Sequence, residues 1–286
     1  KQKSVDHRQL ATQYRDFAIL YRTNAQSRVL EEAMLHAGIP YTIFGSVKFY
    51  ARREIKDVLS YLRLVTNDKE PISRARAEKL GKGRLQKFTK KLEFLKTIEE
   101  QQTLEILDAV LEATSYLDLY DPEDPEDLAR LENIKELRSV ASEFPNLIDF
   151  LEQIALVENA QTEKGVSKLT HSEADSQTEI PSNQGVTLMT AHAAKGLEFP
   201  VVFIVGLEEG LFPHSRSQDD KEELEEERRL LYVGITRAKQ KLYLSFATRR
   251  LIFGQRARSA PSRFLADIPE NLIEGSESFS PKESWS

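Results

Sequence analysis

The chain of 286 residues has no cysteine. That excludes disulfide staples, thiolate metal sites and a cysteine nucleophile, and it fits a reducing, cytoplasmic setting. No apolar run approaches the ~18 residues that a membrane-spanning helix needs, so no membrane partner is expected. The polar start, Lys1 to Arg15, lacks the apolar core of a secretory leader. An excess of basic charge is missing too: 40 Lys and Arg stand against 46 Asp and Glu, a net charge of −6. Proteins that bind nucleic acid with much of their surface are usually basic, so any such contact here must be made by a local groove. The chain also lacks a phosphate-cradling loop of the form G-x-x-x-x-G-K-[ST]. Its one Gly-Lys pair, Gly81-Lys82, is followed by glycine. No acidic pair follows an apolar strand in the way a magnesium site needs, and no metal ligands are expected.

What is present is an ordinary globular balance, 40% hydrophobic and 30% charged, long enough for one large or two modest domains. The pattern changes twice. From Gln13 to Asn67, strand and helix alternate. Phe17-Ala18-Ile19-Leu20-Tyr21 reads as a buried strand. Asn24 can cap a helix through Val29, Leu30, Ala33, Met34 and Ala37 that Gly38 stops. Tyr41-Thr42-Ile43-Phe44 reads as a strand, and Ile55, Val58, Leu59, Leu62 and Val65 as the stripe of another helix. From Asp68 to Asn183 the strands cease. Leu104 to Leu111, Leu128 to Leu137 and Leu147 to Leu156 give three helical stripes, with the turn Asp121-Pro122-Glu123-Asp124-Pro125 before the second. Gln161 to Gln184 has the composition of a linker. From Gly185 to Ile268 the α/β alternation returns, with strands at Val186–Thr190, Val201–Val205 and Leu242–Phe246. The near-continuous apolar run of the second suits a central parallel strand buried on both faces. The acidic run Asp219 to Glu227 reads as a solvated helix face. The Ser- and Glu-rich stretch 271–286 is expected to be disordered. The simplest arrangement is one parallel sheet built from 1–67 and 184–270, interrupted by a helical insertion, 68–183.

Two clusters could carry chemistry. Thr190-Ala191-His192-Ala193-Ala194-Lys195-Gly196-Leu197-Glu198-Phe199 joins two strand candidates and gathers a hydroxyl, an imidazole, an ammonium, a glycine and a carboxylate. Such a loop is either a ligand site at the edge of an α/β sheet or a solvated connection with a capping threonine. Tyr232-Val233-Gly234-Ile235-Thr236-Arg237-Ala238 sets an arginine at the end of an amphipathic helix. That arginine is either a planar charge for a phosphate or a side chain favoured there by the helix dipole.

Together these stretches resemble the C-terminal half of superfamily 1 DNA helicases of the UvrD, PcrA and Rep type. The resemblance lies in Asp16-Phe-Ala-Ile-Leu-Tyr-Arg-Thr-Asn-Ala-Gln-Ser-Arg28, Gly185 to Gly210, Glu225 to Ala238 and Ser262-Arg263-Phe264-Leu265. It implies a RecA-like fold, that of a P-loop NTPase without its P-loop. It implies that Arg237 is an arginine finger for the γ-phosphate of ATP and that Glu198 binds the ribose. Lys195 and Gly196 lie beside it and couple the nucleotide cleft to the DNA groove. Arg22, Asn24, Thr190 and His192 face a single strand of DNA, and His214 and Phe253 contact or stack on its bases, which grips without reading sequence. The phosphate loop and the Mg2+ ligands then belong to an N-terminal motor domain of the same protein, with 3′ to 5′ polarity and single-stranded DNA or a single-strand/duplex junction as substrate, in repair or replication. The family's glycine-rich hairpin in the insertion is not well matched. Arg74 to Phe88 has Gly81, Gly83 and six basic residues, and Lys79 to Arg84 is either a phosphate contact or a solvated turn. The alternative from another class is a non-catalytic DNA-binding or protein-interaction module with a relict helicase fold. A nuclease-coupled relative is disfavoured by the short stretch after Ile268.

Overall fold

The computed structural model describes residues 13–97, 102–163, 185–252 and 255–274. The apolar run after Asp16 forms β1 (Phe17–Tyr21), which lies at the centre of a five-stranded sheet. Its neighbours are β2 (Tyr41–Ile43), β3 (Val186–Thr190), β4 (Phe199–Val205) and β5 (Ala238–Ser245), in the order β2-β3-β1-β4-β5. Every pairing is parallel. The two stretches separated by the helical region therefore share one sheet, as the alternation predicts. Central parallel strands are covered on both faces. On one face α1 (Ser27–His36) packs Leu30 and Met34 over Ile19, Tyr21, Tyr41 and Leu188. On the other, α8 (Lys221–Ile235) packs Leu230 and Leu231 over Ala18, Leu20, Met189, Val202 and Ile204. A short antiparallel hairpin, β6 (Arg249–Ile252) with β7 (Gln255–Arg258), follows the edge strand β5.

The local expectations need two corrections here. Gly38, at φ +66°, does end α1, but Asn24 does not cap it. Asn24 lies inside a 3-10 turn, Asn24–Gln26, that runs straight into the helix, so no extended capping residue precedes it. The turn is held by the Gln26 side-chain oxygen, which accepts from the amides of Arg22 and Thr23, both at 2.9 Å. The second concerns Glu227, read from its acidic run as part of a solvated face. It is buried on α8, because it falls in register with Leu224 and Leu231 on the stripe facing the sheet. Asp220 opens α8, its carboxylate accepting from the amides of Glu222 and Glu223.

The helical region comprises α2 (Arg53–Thr66), α3 (Pro71–Lys79), α4 (Lys82–Thr97), α5 (Thr103–Thr114), α6 (Pro125–Ala141) and α7 (Leu147–Glu163). Helix α2 follows the first two strands in sequence but buries Ile55, Val58, Leu59, Leu62 and Val65 among Ile106, Leu107, Ile134, Phe150 and Ile154 of the other helices. Periodicity reveals that a helix has an apolar face, not which core that face enters. The basic stretch from Arg74 to Phe88 folds as the end of α3, a turn at Leu80-Gly81 and the start of α4. Within it, Arg84 donates to the carbonyls of Thr114 and Ser115 at the end of α5. Helix α7 runs three residues into the stretch read as a linker; 164–184 and 275–286 lie outside the described residues.

Buried polar groups join helices and sheet. Arg52, 4% exposed, donates to Asn133 of α6 (2.7 Å), to Ser27 (2.6 Å) and to the Asn24 carbonyl (3.0 Å). Glu31, equally enclosed, accepts from Ser27 and from the Phe49 amide. Burial pushes its carboxyl up to about 7, against the pull of Ser27, Arg52 and Phe49. The folded chain thus holds this proton more tightly than the unfolded one. The stability it contributes is full below the ordinary value of 4.5 and is lost as pH rises through about 7. In thermal melts from about pH 5 to pH 8, the parent should lose stability relative to Glu31→Gln. Parallel melting profiles would show that Glu31 does not titrate in this range.

Candidate functional site

The candidate residues occupy opposite ends of the sheet, and one loop runs between them. Parallel strands put all their carboxyl ends on one side. There, Arg22 and Asn24 follow β1, Thr190 and His192 end β3, and His214 belongs to the connection after β4. At the amino ends, Glu198 immediately precedes β4 and Arg237 immediately precedes β5. The Phe199 amide donates to the Arg237 carbonyl at 2.9 Å, which fixes these two positions side by side.

The connecting loop is wound and anchored. The Ala191 amide donates to the Tyr21 carbonyl at the end of β1 (2.8 Å). Thr190 receives the Ala194 amide on its carbonyl and the Ala193 amide on its hydroxyl, each at 3.2 Å. The capping role of this threonine is therefore real. Ala191, Ala194 and Leu197 are buried against the sheet, so His192, Lys195 and Glu198 point outward. Gly196 makes the last bend at φ +84°, a conformation that a side chain would strain.

At the amino-end site, Arg237 is held by its own surroundings. Its guanidinium donates to the carbonyls of Val233 (2.9 Å) and Leu197 (3.1 Å) and to the Thr236 hydroxyl (2.9 Å). Carbonyls orient the fork without neutralising it, and among the described residues no ion pair involves Arg237. A planar charge set in this way is available to an anion. Glu198 makes a surface pair with Lys239 at 3.4 Å, weak enough to yield to a ligand.

The carboxyl-end site is more heavily occupied. Arg22 closes on Glu227 in a bidentate pair, Nε at 2.8 Å and a terminal nitrogen at 2.6 Å. The other Glu227 oxygen accepts from the His214 amide at 3.1 Å. The His214 ring meets Glu132 of α6 through Nε2 (2.6 Å), and its Nδ1 accepts from the Arg216 amide. Arg216 itself pairs with Glu123 ahead of α6. Partial desolvation and, next, the charge of Arg22 hold the His192 imidazole below its ordinary value and favour the neutral ring. The structure thus brings Arg22, Asn24, Thr190, His192 and His214 to one end of the sheet. Phe253 lies outside the described residues.

Three glutamates escaped the sequence reading. Glu227 is one. Glu208 and Glu209 come after the end of β4, beyond Gly206 and Leu207. Both are taken by arginines: Glu208 accepts from Arg250 and the Ala247 amide, and Glu209 from Arg263 and its amide. They dock the hairpin and the Ser262–Leu265 segment onto the end of β4, and Phe264 and Leu265 enter the core there. Among the described residues no group of three or more His, Cys, Asp or Glu side chains could hold a metal ion. None of the described helices is long and apolar enough to cross a membrane.

A family model described as the UvrD-like helicase C-terminal domain matches residues 2–122 and 82–249, most of the chain. The chain belongs to the UvrD-like helicase C-terminal domain family. Its α/β sheet with inserted helices fits that family's RecA-like architecture. The chain is 41% identical over an alignment of 321 residues to the ATP-dependent DNA helicase PcrA of Staphylococcus epidermidis, with 94% of this chain and 42% of the relative covered. It is 40% identical over 325 residues to the PcrA helicase of Staphylococcus aureus, covering 96% and 42%. It is 41% identical over 306 residues to that of Bacillus subtilis, covering 91% and 40%. The UvrD-like chain therefore spans about two fifths of the length of these relatives.

Proposed function

We propose that this chain is the second motor domain of an ATP-dependent DNA helicase, with its helical insertion, moving 3′ to 5′ on single-stranded DNA in repair or replication. The observation that carries the reading is the loop from Thr190 to Glu198. It is one continuous, anchored segment whose ends stand at the two candidate sites. Boundaries at 1–67 with 184–270 for the motor and 68–183 for the insertion go with it, except that α2, which lies before residue 68, packs in the core of the insertion's helices.

In this reading ATP lies between this domain and an N-terminal motor domain carrying the phosphate loop and the carboxylates for Mg2+. The residues present here fit the part left to them. Glu198 can accept from the ribose hydroxyls, and Arg237 is a pre-oriented, unneutralised charge for the γ-phosphate. Closing the cleft brings Arg237 to charge building on that phosphate, an electrostatic completion of a shared site. At the other end Asn24, Thr190 and His192 meet the backbone of the single strand, and His214 and Phe253 meet its bases. Few contacts suit a motor that must release DNA at each step, and they agree with the net charge of −6.

The test uses this chain and the complete protein. Alone, the chain should bind oligo-dT weakly and in a salt-dependent way, and should give no measurable ATP binding by calorimetry. The complete protein should hydrolyse ATP faster with single-stranded DNA present. Tight ATP binding by this chain, or hydrolysis indifferent to DNA in the complete protein, sinks the proposal, and absence of hydrolysis in the complete protein favours a non-catalytic module.

A further inference from the structure

The helix α8 touches both sites, and its DNA-side contact is made by a residue to which neither site assigns a part. Glu227, 5% exposed, receives both arms of the Arg22 fork and the His214 amide, so two strand-end segments hang on one carboxylate. Ten residues further on, roughly 15 Å along a helical axis, comes Arg237. Arg237 is fastened to the last turn of the same helix, its Nε on the Val233 carbonyl and its amide on that of Gly234. Between the two, Gly234 lets the helix lie directly on the sheet. A Cβ there would stand 3.1 Å from Ile204 of β4 and 3.6 Å from Leu20 of β1. A helix seated this closely shifts as a unit more readily than it bends.

From this arrangement we infer that Glu227 is a positioning residue which ties the DNA-facing segments of Arg22 and His214 to α8, so that a strand engaging them moves the helix carrying Arg237. The inference rests on the helicase reading and adds to it a second route between the sites, beside the Thr190–Glu198 loop. Its chemistry is specific. A phosphate arriving at Arg22 competes with Glu227 for the same guanidinium fork, and the carboxylate it loosens is rigidly attached to the finger helix. Glu227 touches neither nucleotide nor DNA; its effect passes through Arg22 at one end and Arg237 at the other.

The experiment compares the complete protein with its Glu227→Gln and Arg22→Lys variants. Oligo-dT affinity is read by fluorescence anisotropy and ATP turnover at saturating oligo-dT. Glu227→Gln removes the buried charge at similar shape and releases Arg22. DNA affinity should hold or tighten, while DNA-stimulated turnover falls about tenfold, the size of a typical coupling between sites. Arg22→Lys keeps the charge but loses the fork; because Arg22 itself meets the strand, affinity for oligo-dT should fall, and turnover at saturating oligo-dT should fall likewise with the melting temperature held. A carboxylate that only screens Arg22 from DNA predicts tighter binding with turnover kept or raised. A purely structural one predicts loss of affinity, melting temperature and turnover together in both variants. Either result overturns the coupling role. A parent protein without DNA-stimulated turnover would instead mark failure of the helicase reading itself.

Discussion

Replacing Arg237 by alanine in the complete protein should lower DNA-stimulated ATP hydrolysis by about 10³-fold or more, the usual worth of an arginine finger in phosphoryl transfer. The fold should survive, because Arg237 is half-buried and its side chain donates only to the carbonyls of Val233 and Leu197 and to the hydroxyl of Thr236, groups at a helix end and in a loop that water can also serve. Oligo-dT binding should therefore change little while turnover collapses. Lysine at this position keeps the charge but not the planar fork set by the two carbonyls, and it should recover only a small part of the rate. The measurement is steady-state hydrolysis at saturating DNA beside a thermal melt. Hydrolysis within tenfold of the parent would remove Arg237 from the role.

The largest loss of stability is expected at Arg52. It lies outside both sites, yet its guanidinium joins the Asn24 turn, Ser27 at the start of α1 and Asn133 of α6. Its charge also sits 5.2 Å from the centre of the Phe49 ring. Methionine would fill much of the volume and leave those oxygens without their donor, beside the buried carboxyl of Glu31. The cost should be about 3–5 kcal/mol, which is what removing one partner of a buried charged network commonly takes. Total stabilities run to roughly 5–15 kcal/mol, so such a loss is easily seen in urea unfolding. A loss below about 1 kcal/mol would mean that the cluster relaxes or admits water. Because Arg52 holds the Asn24 turn, weaker oligo-dT binding should accompany the loss.

The same residues show how far a single chain can be read. Five apolar residues from Phe17 to Tyr21, and the run after Phe199, declared buried strands because a parallel strand covered on both faces has no polar side to display. The return of that alternation after the helices was enough to place both halves in one sheet. Arg237 and the Thr190–Glu198 loop stood out by residue type, but only the resemblance to superfamily 1 helicases favours a ligand site over a solvated loop and a charge at a helix end. Glu227 was not, since neighbouring acids made it look solvated, although its spacing from Leu224 and Leu231 had already put it on the buried stripe. Glu208 and Glu209 carry no local sign of their roles, because their arginine partners lie 42 and 54 positions away.

Local patterning thus settled the five strands of the parallel sheet but not the β6–β7 hairpin, most of the helices and the α/β class, and it marked the two candidate clusters, since these depend on residue type and periodicity within a few residues. Three matters belonged to the tertiary structure. One is the core that α2 enters. Another is which arginines carboxylates claim, Arg22, Arg216, Arg250 and Arg263 among them, with no ion pair to Arg237 among the described residues. The third is the separation of the clusters to opposite ends of the sheet with a loop and a helix between them. Each depends on contacts between residues remote in sequence, and a charge reveals its partner only when the fold has brought the two together.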